Sequence, residues 1–216
     1  MEELTEKIPK PMLKVAGKTL LEHKFDVLPD DIDEIILVVG YLGHVIQQQY
    51  RGEYKGKRLL YVVQDKLDGT AGALWAAKDL LRDTFLVMNG DDIYAKEDIE
   101  KAACFPWSVV GLEVDEIGEA AKIVTDGADR VVDILEVGEH DNEEPGFLNS
   151  GLYCLDTRIF EHPLVPRYPG SEEFGLPQTI VKSKMPFVLI KASFWLQITD
   201  SSDLQKAEET LANLGN

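Results

Sequence analysis

Leu59-Leu60-Tyr61-Val62-Val63-Gln64-Asp65-Lys66-Leu67-Asp68-Gly69-Thr70-Ala71-Gly72-Ala73-Leu74 joins two kinds of periodicity across one short turn. Leu59 to Val63 is an unbroken apolar run ending in β-branched residues, the pattern of a strand. Beyond Gly69 the small and straight-chain residues open a helix predicted over Ala71 to Leu81. The same alternation runs upstream. Thr19 to Leu28 has apolar residues at helical spacing and stops at Pro29 and Asp30-Asp31. Ile35 to Val39 reads as a strand buried on both faces, and after Gly40-Tyr41-Leu42-Gly43 a helix is expected from about His44 to Tyr50. Downstream, Phe85 to Asn89 is a further buried strand. Strands alternating with helices imply an α/β fold with a mostly parallel sheet and helices on both faces.

The second half loses that rhythm. Strand-like runs at Ser108 to Glu113, Lys122 to Thr125, Val131 to Leu135 and Phe147 to Leu155 imply hairpins that build a small β-rich lobe. A helix over Pro177 to Ser183, a buried strand over Phe187 to Ile190 and an amphipathic helix over Ser202 to Leu214 complete the pattern. No linker or repeat divides residues 1–216, so one domain is expected.

Composition bounds the partners. The chain of 216 residues has 22 basic and 39 acidic side chains, for a net charge of −17. It has no Lys/Arg run to neutralise successive phosphates, so nucleic acid and anionic membranes are not expected partners. A single small polyanion remains compatible, because a local cluster of N–H groups, one Lys and a divalent cation outweighs a screened global field. Cys104 and Cys154 sit far apart in apolar surroundings and are expected to be buried thiols, which fits a cytoplasmic setting. No stretch reaches the ~20 apolar residues of a membrane span.

Four segments carry candidate chemistry. In Pro9-Lys10-Pro11-Met12 two prolines fix the backbone around Lys10, which aims its ammonium at a phosphate or leaves it solvated in a turn. Gln64 and Gly69 bracket the turn quoted above. A primary amide offers the donor and acceptor that suit a pyrimidine edge, and glycine admits close approach; Thr70 reads equally as a helix cap. Phe85-Leu86-Val87-Met88-Asn89-Gly90-Asp91-Asp92 is an apolar strand ending in acid, where a carboxylate can hold Mg²⁺ or merely make a turn. Phe147-Leu148-Asn149-Ser150-Gly151-Leu152-Tyr153 and Ile134-Leu135-Glu136 place an amide and a carboxylate at strand positions.

In order and spacing these segments resemble the sugar nucleotidyltransferase family, and the resemblance covers nearly the whole chain. It implies a Rossmann-like fold and transfer of a nucleotidyl group from UTP or dTTP to a sugar 1-phosphate, releasing pyrophosphate. It also implies Mg²⁺ as cofactor. Lys10 and Asp91 would be catalytic, and Gln64, Gly69, Thr70 and Gly90 would seat the nucleotide. Glu136 and Asn149 would meet the sugar, and Asp91 with Gln197 would hold the metal. A homo-oligomer is compatible with all of this.

The sequence departs from the family's pattern around the reaction centre. The family's G-x-G-T-R-L-x-P loop and the strand before it are not present upstream of Lys10. The resemblance implies that roughly 20 further residues precede Met1, and that without the first strand two neighbouring strands face an open gap. Val137 stands where a Lys follows the sugar-binding Glu, Ala120-Ala121 stands where a Tyr-Gly pair is expected, and Gln197 replaces an Asp. Each lost charged contact typically costs ~3 kcal/mol of transition-state stabilisation. Two other readings therefore stand beside the enzyme: a binding paralogue that has lost turnover, and a transferase acting on another phosphate such as phosphocholine.

Overall fold

A computed structural model describes residues 7–214. The expectation about Met1-Glu2-Glu3, and the Leu4-Thr5-Glu6 end of the first segment, lie outside the described residues. A 3-10 turn at Lys10–Met12 leads into β1 (Lys14–Val15), β2 (Lys18–Thr19), α1 (Leu20–Val27), β3 (Glu34–Val39) and α2 (Gly43–Tyr50). There follow β4 (Glu53–Tyr54), β5 (Lys57–Val63), α3 (Gly69–Ala76), β6 (Thr84–Met88), β7 (Asp92–Tyr94), α4 (Lys96–Ala103) and β8 (Ser108–Val114). The remainder is β9 (Lys122–Thr125), β10 (Val131–Leu135), β11 (Gly146–Asp156), a 3-10 turn at Thr157–Glu161, α5 (Leu176–Ser183), β12 (Val188–Lys191), β13 (Trp195–Gln197) and α6 (Ser201–Leu214).

Local chemistry sets these boundaries. Thr19 caps α1 reciprocally: its hydroxyl accepts from the Glu22 N–H at 3.0 Å, and the Glu22 carboxylate accepts from the Thr19 N–H at 2.7 Å. Such a cap contributes about 1 kcal/mol. Helix α3 ends at Ala76, short of the predicted Leu81, because the chain tightens there. The Ala77, Lys78 and Leu80 amides each bond to the carbonyl three residues back. Helix α4 and the short strands β7 and β13 escape the pattern reading. For α4 the usable signal was Glu97 and Asp98 in the first turn, Lys101 in the last, and Ile99 and Ala102 three apart on the buried side.

The architecture is mixed α/β. β3 runs parallel to β5, and β12 parallel to β8. The other pairings are antiparallel, centred on β11, which pairs with β6, β8 and β9. The parallel share is therefore smaller than the early helix–strand alternation implies, because the long β11 returns through the middle of the sheet. Alternate residues of β11 feed two cores. Tyr153 and Leu155 pack with Ala71 and Leu74 of α3 and Leu176 and Ile180 of α5. Leu152 and Cys154 pack with Ile99 and Ala102 of α4. Helices thus cover both faces, as expected, and each fully buried aliphatic side chain is worth about 1.5–3 kcal/mol.

Three expectations need correction. Ile35 to Val39 is not buried on both faces; only Val39 is buried, and its neighbours are half-buried. Phe85 to Asn89 is not a buried strand either, since all five residues are only half-buried and face the cavity that the two strands share. β3 pairs only with β5 and β6 only with β11, so among the described residues each keeps an unpaired edge. Ile35–Val39 and Phe85–Asn89 line one cavity of about 1100 Å³, where the resemblance implied a gap. Cys104 is exposed, because it caps the carboxyl end of α4; Cys154 is buried, and both thiols are free.

Candidate active site

The carboxyl ends of β3 and β6 converge on the proline turn. Pro11 packs against Gly90, where an added Cβ would meet its ring at 3.1 Å, and it lines a recess with Lys10, Val39, Gly40 and Thr199. Lys10 Nζ lies 2.5 Å from Asp91 Oδ2, with both side chains a little over a quarter exposed. β13 brings Gln197 opposite Asp92, and the Ile198 N–H donates to the Asp91 carbonyl at 3.2 Å. Lys10, Asp91 and Gln197, spread over most of the sequence, are thus gathered at one place.

Behind Asp91 lies a polar cluster that motif reading missed. Asp92 is fully buried on β7. Tyr94 Oη lies 3.1 Å from Asp92 Oδ2 and 2.9 Å from the Ser150 carbonyl. Lys24 of α1, only 5% exposed, donates to the Asp92 carbonyl at 2.5 Å. Burial lowers the Lys24 pKa, although Asp92 and Asp91 attract its charge. Burial also raises the Asp92 pKa, with Asp91 adding to the rise and Lys24 opposing it. One signal for Lys24 was present: it shares the inward stripe of Leu20, Leu21, Phe25 and Leu28, where a lysine has no solvent to reach.

The second loop is zipped to a distant segment. Gly69 has φ +94°, and an added Cβ would sit 2.4 Å from the Phe174 carbonyl oxygen. Its glycine is therefore required by the approach of Phe174, which the sequence reading did not foresee. The Phe174 N–H donates to the Asp68 carbonyl at 2.7 Å and the Ala71 N–H to the Phe174 carbonyl at 3.0 Å. Thr70 is not the cap of α3, a place held by Asp68; its hydroxyl accepts from the Leu176 N–H at 3.0 Å. Gln64 turns back on its own loop, its amide donating to Asp68 Oδ1 at 2.9 Å and to the Gly69 carbonyl at 3.3 Å. The Gln64 N–H bonds to the carbonyl of Val39, a residue of the Lys10 recess, at 2.8 Å, but Gln64 itself lines neither that recess nor the large cavity.

Glu136 and Asn149 line the same large cavity as Gly69, Thr70, Gly90 and Gln197. Glu136 accepts from Arg167 Nη2 at 3.2 Å and from Gln178 Nε2 at 2.9 Å. The Asn149 amide donates to Tyr153 Oη at 2.7 Å across a bulge in β11, and its oxygen accepts from the Gly151 N–H at 3.1 Å. Val137 is half-exposed. Arg167 and Gln178 carried no sequence signal, because they reach Glu136 only through folding.

The donor set bears on the expected metal. Among the described residues no three His, Cys, Asp or Glu side chains group as a metal site. One accessible carboxylate, Asp91, on a turn whose backbone meets the strand of Gln197, is a donor that suits Mg²⁺ when phosphate oxygens and water complete its shell.

Comparison with known proteins bears on the family and the fold. A family model described as nucleotidyl transferase matches residues 1–213. The bifunctional protein GlmU of Methanocaldococcus jannaschii is 34% identical over 161 residues, which are 74% of this chain and 38% of that protein. The UTP–glucose-1-phosphate uridylyltransferase AglF of Haloferax volcanii is 30% identical over 224 residues, covering 98% of this chain and 91% of AglF. The chain thus spans about half, or less, of the GlmU relatives it matches but most of AglF. A crystal structure of UDP-glucose pyrophosphorylase complexed with UDP-glucose superposes with a TM-score of 0.81 at 15% identity, covering 98% of this chain and 93% of that one, which is a likeness of fold. No helix among the described residues is long and apolar enough to cross a membrane. By the family match along its length, its fold and the order of its motifs, the chain belongs to the nucleotidyl transferase family.

Proposed function

We propose that this chain is the catalytic unit of a sugar-1-phosphate nucleotidyltransferase that uses a pyrimidine nucleoside triphosphate. The observation that carries the reading is the Lys10–Asp91 pair at the strand ends, beside a cavity that also holds Glu136 and Asn149. The sugar phosphate oxygen attacks the α-phosphorus in line and pyrophosphate leaves. Such chemistry depends on positioning and charge neutralisation, with no covalent protein intermediate. Lys10 exchanges Asp91 for phosphate oxygens and offsets their charge. Gln64 releases Asp68 to present its amide to the base, on the floor formed by Gly69, Thr70 and Gly90. Glu136 and Asn149 orient the sugar hydroxyls. Bound with the triphosphate, Mg²⁺ would polarise the phosphoryl oxygens, held by Asp91 with Gln197. A cytoplasmic setting agrees with nucleotide substrates and with free thiols.

The test is a pyrophosphate-release assay with Mg²⁺, UTP or dTTP and a panel of sugar 1-phosphates, alongside phosphocholine, on this chain and on a version extended upstream. Release with a sugar 1-phosphate is the expected result. Nucleotide binding without release from any pair would assign the protein to the binding class. Release with phosphocholine alone would move the acceptor away from sugars.

A further inference from the structure

Acids outnumber bases along the large cavity, six to three among the described residues, so an incoming phosphate needs a cation that can change partners. The three bases are Lys24, Arg82 and Arg167. Lys24 is buried and held on the Asp92 carbonyl, and Arg82 donates to the carbonyls of Asp79 and Leu81. Arg167 differs: its side chain is half exposed, and its guanidinium is divided between Glu136 at 3.2 Å and Glu173 at 3.8 Å. Each of those carboxylates meets a single nitrogen, so the paired donors with which an arginine grips one anion are not used together. Val137, beside Glu136, lines the cavity and has no donor to offer.

The stem of Arg167 is tied to the turn proposed to seat the nucleotide. The Arg167 N–H donates to the Glu173 carbonyl at 2.8 Å and the Gly175 N–H to the Val165 carbonyl at 3.0 Å, while Phe174 between them bonds to Asp68 and Ala71 on either side of Gly69. We infer that Arg167 receives the phosphate of the acceptor, exchanging Glu136 and Glu173 for phosphate oxygens, and that this exchange uncovers Glu136 Oε2 for a sugar hydroxyl. The inference deepens the proposed sugar-1-phosphate nucleotidyltransferase activity and rests on it. A phosphate monoester presents three terminal oxygens to the planar fork, so single contacts give way to a charge-assisted pair. Gln178 stays on Glu136 Oε1 at 2.9 Å and keeps that carboxylate in place. A phosphorylated sugar is thereby favoured over the bare sugar, because only the phosphate draws Arg167 away from the carboxylate that meets the hydroxyl.

The test is calorimetric titration of the full chain with glucose 1-phosphate and the rest of the sugar 1-phosphate panel, and with the same sugars unphosphorylated. Mg²⁺ and α,β-methylene UTP are present to occupy the nucleotide seat without turnover. The wild type is expected to bind at least one sugar 1-phosphate. Arg167→Gln should weaken that binding about ten- to a hundredfold, the worth of a charged hydrogen-bonded contact, and leave binding of the bare sugar no weaker. Arg167→Lys keeps the charge without the fork and should lose about three- to tenfold, which serves as the measurement where Arg167→Gln does not fold. Thermal melts establish that each variant is folded. Equal affinity of the wild type and the folded variants for every sugar 1-phosphate would overturn the inference, as would no binding of any by the wild type. An equal loss for the bare sugar would assign the effect to packing and overturn it too. Binding that depends on Arg167 without any pyrophosphate release would keep the inference and defeat the proposed activity, whereas release that Arg167→Gln leaves unchanged would do the reverse.

Discussion

Around Asp91 the charged groups are sunk into the protein, with Asp92 and Lys24 buried and Lys10 only partly exposed. Glu136 is about as buried as Asp91, but its partners lie nearer the surface: Arg167 is half exposed and also reaches Glu173 at 3.8 Å. The first region is held in place by packing and desolvation before any ligand arrives. The second is held by side chains that satisfy one another, and the sugar-binding role proposed for it requires them to exchange partners. Preorganised charges act on the rate, whereas exchangeable ones act on binding.

Three variants test that contrast. Asp91→Asn keeps the size and removes the charge at the preorganised end, so kcat for pyrophosphate release should fall about a hundredfold or more with nucleotide binding largely kept; a fall below tenfold would place the reaction elsewhere. Gly69→Ala attacks the seam between the regions. With φ +94° and Phe174 in the way, the melting free energy should drop by about 1–3 kcal/mol, measured by urea unfolding. Glu136→Gln at the exchangeable end should raise KM for the sugar phosphate by about tenfold while kcat moves little. An equal fall in kcat would erase the distinction.

The smallest effect concerns pH and a charged site remote from both regions. Partial burial tends to raise the Asp26 pKa, but bonds from Lys18, Lys55 and Tyr54 outweigh it and bring it down to about 2. A lowered carboxylate pKa stabilises the fold above the unfolded value near 4 and loses that contribution as pH falls toward 2. Asp26→Asn should therefore flatten the acid limb of the stability curve between pH 4 and 2, by less than about 1 kcal/mol because both lysine partners are half exposed or more. Thermal melts across that range would show it.

Much of this was legible before folding, and the omissions have physical causes. Thr19 and Glu22 three residues apart announced α1, and unbroken apolar runs announced β5, β6 and β12, because those signals are local. The carboxylate of Asp91 was legible from its place after an apolar strand, and the resemblance joined it to Lys10 across 81 positions. Arg167 was not, since it acts through a partner 31 residues away and belongs to no motif; Lys24 showed only as a lysine on an apolar stripe, with its partner 68 residues away. Gly69 was picked out as a position that admits close approach, and the structure adds the Phe174 backbone as a neighbour that spacing alone could not reveal. Cys104 misled because apolar neighbours in sequence say nothing of a helix end.

The open rims of β3 and β6 have a consequence for how this molecule breathes. In a closed sheet every second amide of a strand is locked to each side, but among the described residues the amides that point away from β5 and from β11 have no ladder to hold them. Deuterium should enter those positions early and reach the β8–β11 ladder last, so that exchange along a single strand alternates fast and slow. Any extended segment that settles between the rims would silence that alternation, and with Pro11 and Gly90 at one end of the trough, it would steady the floor beneath Lys10 and Asp91 as well.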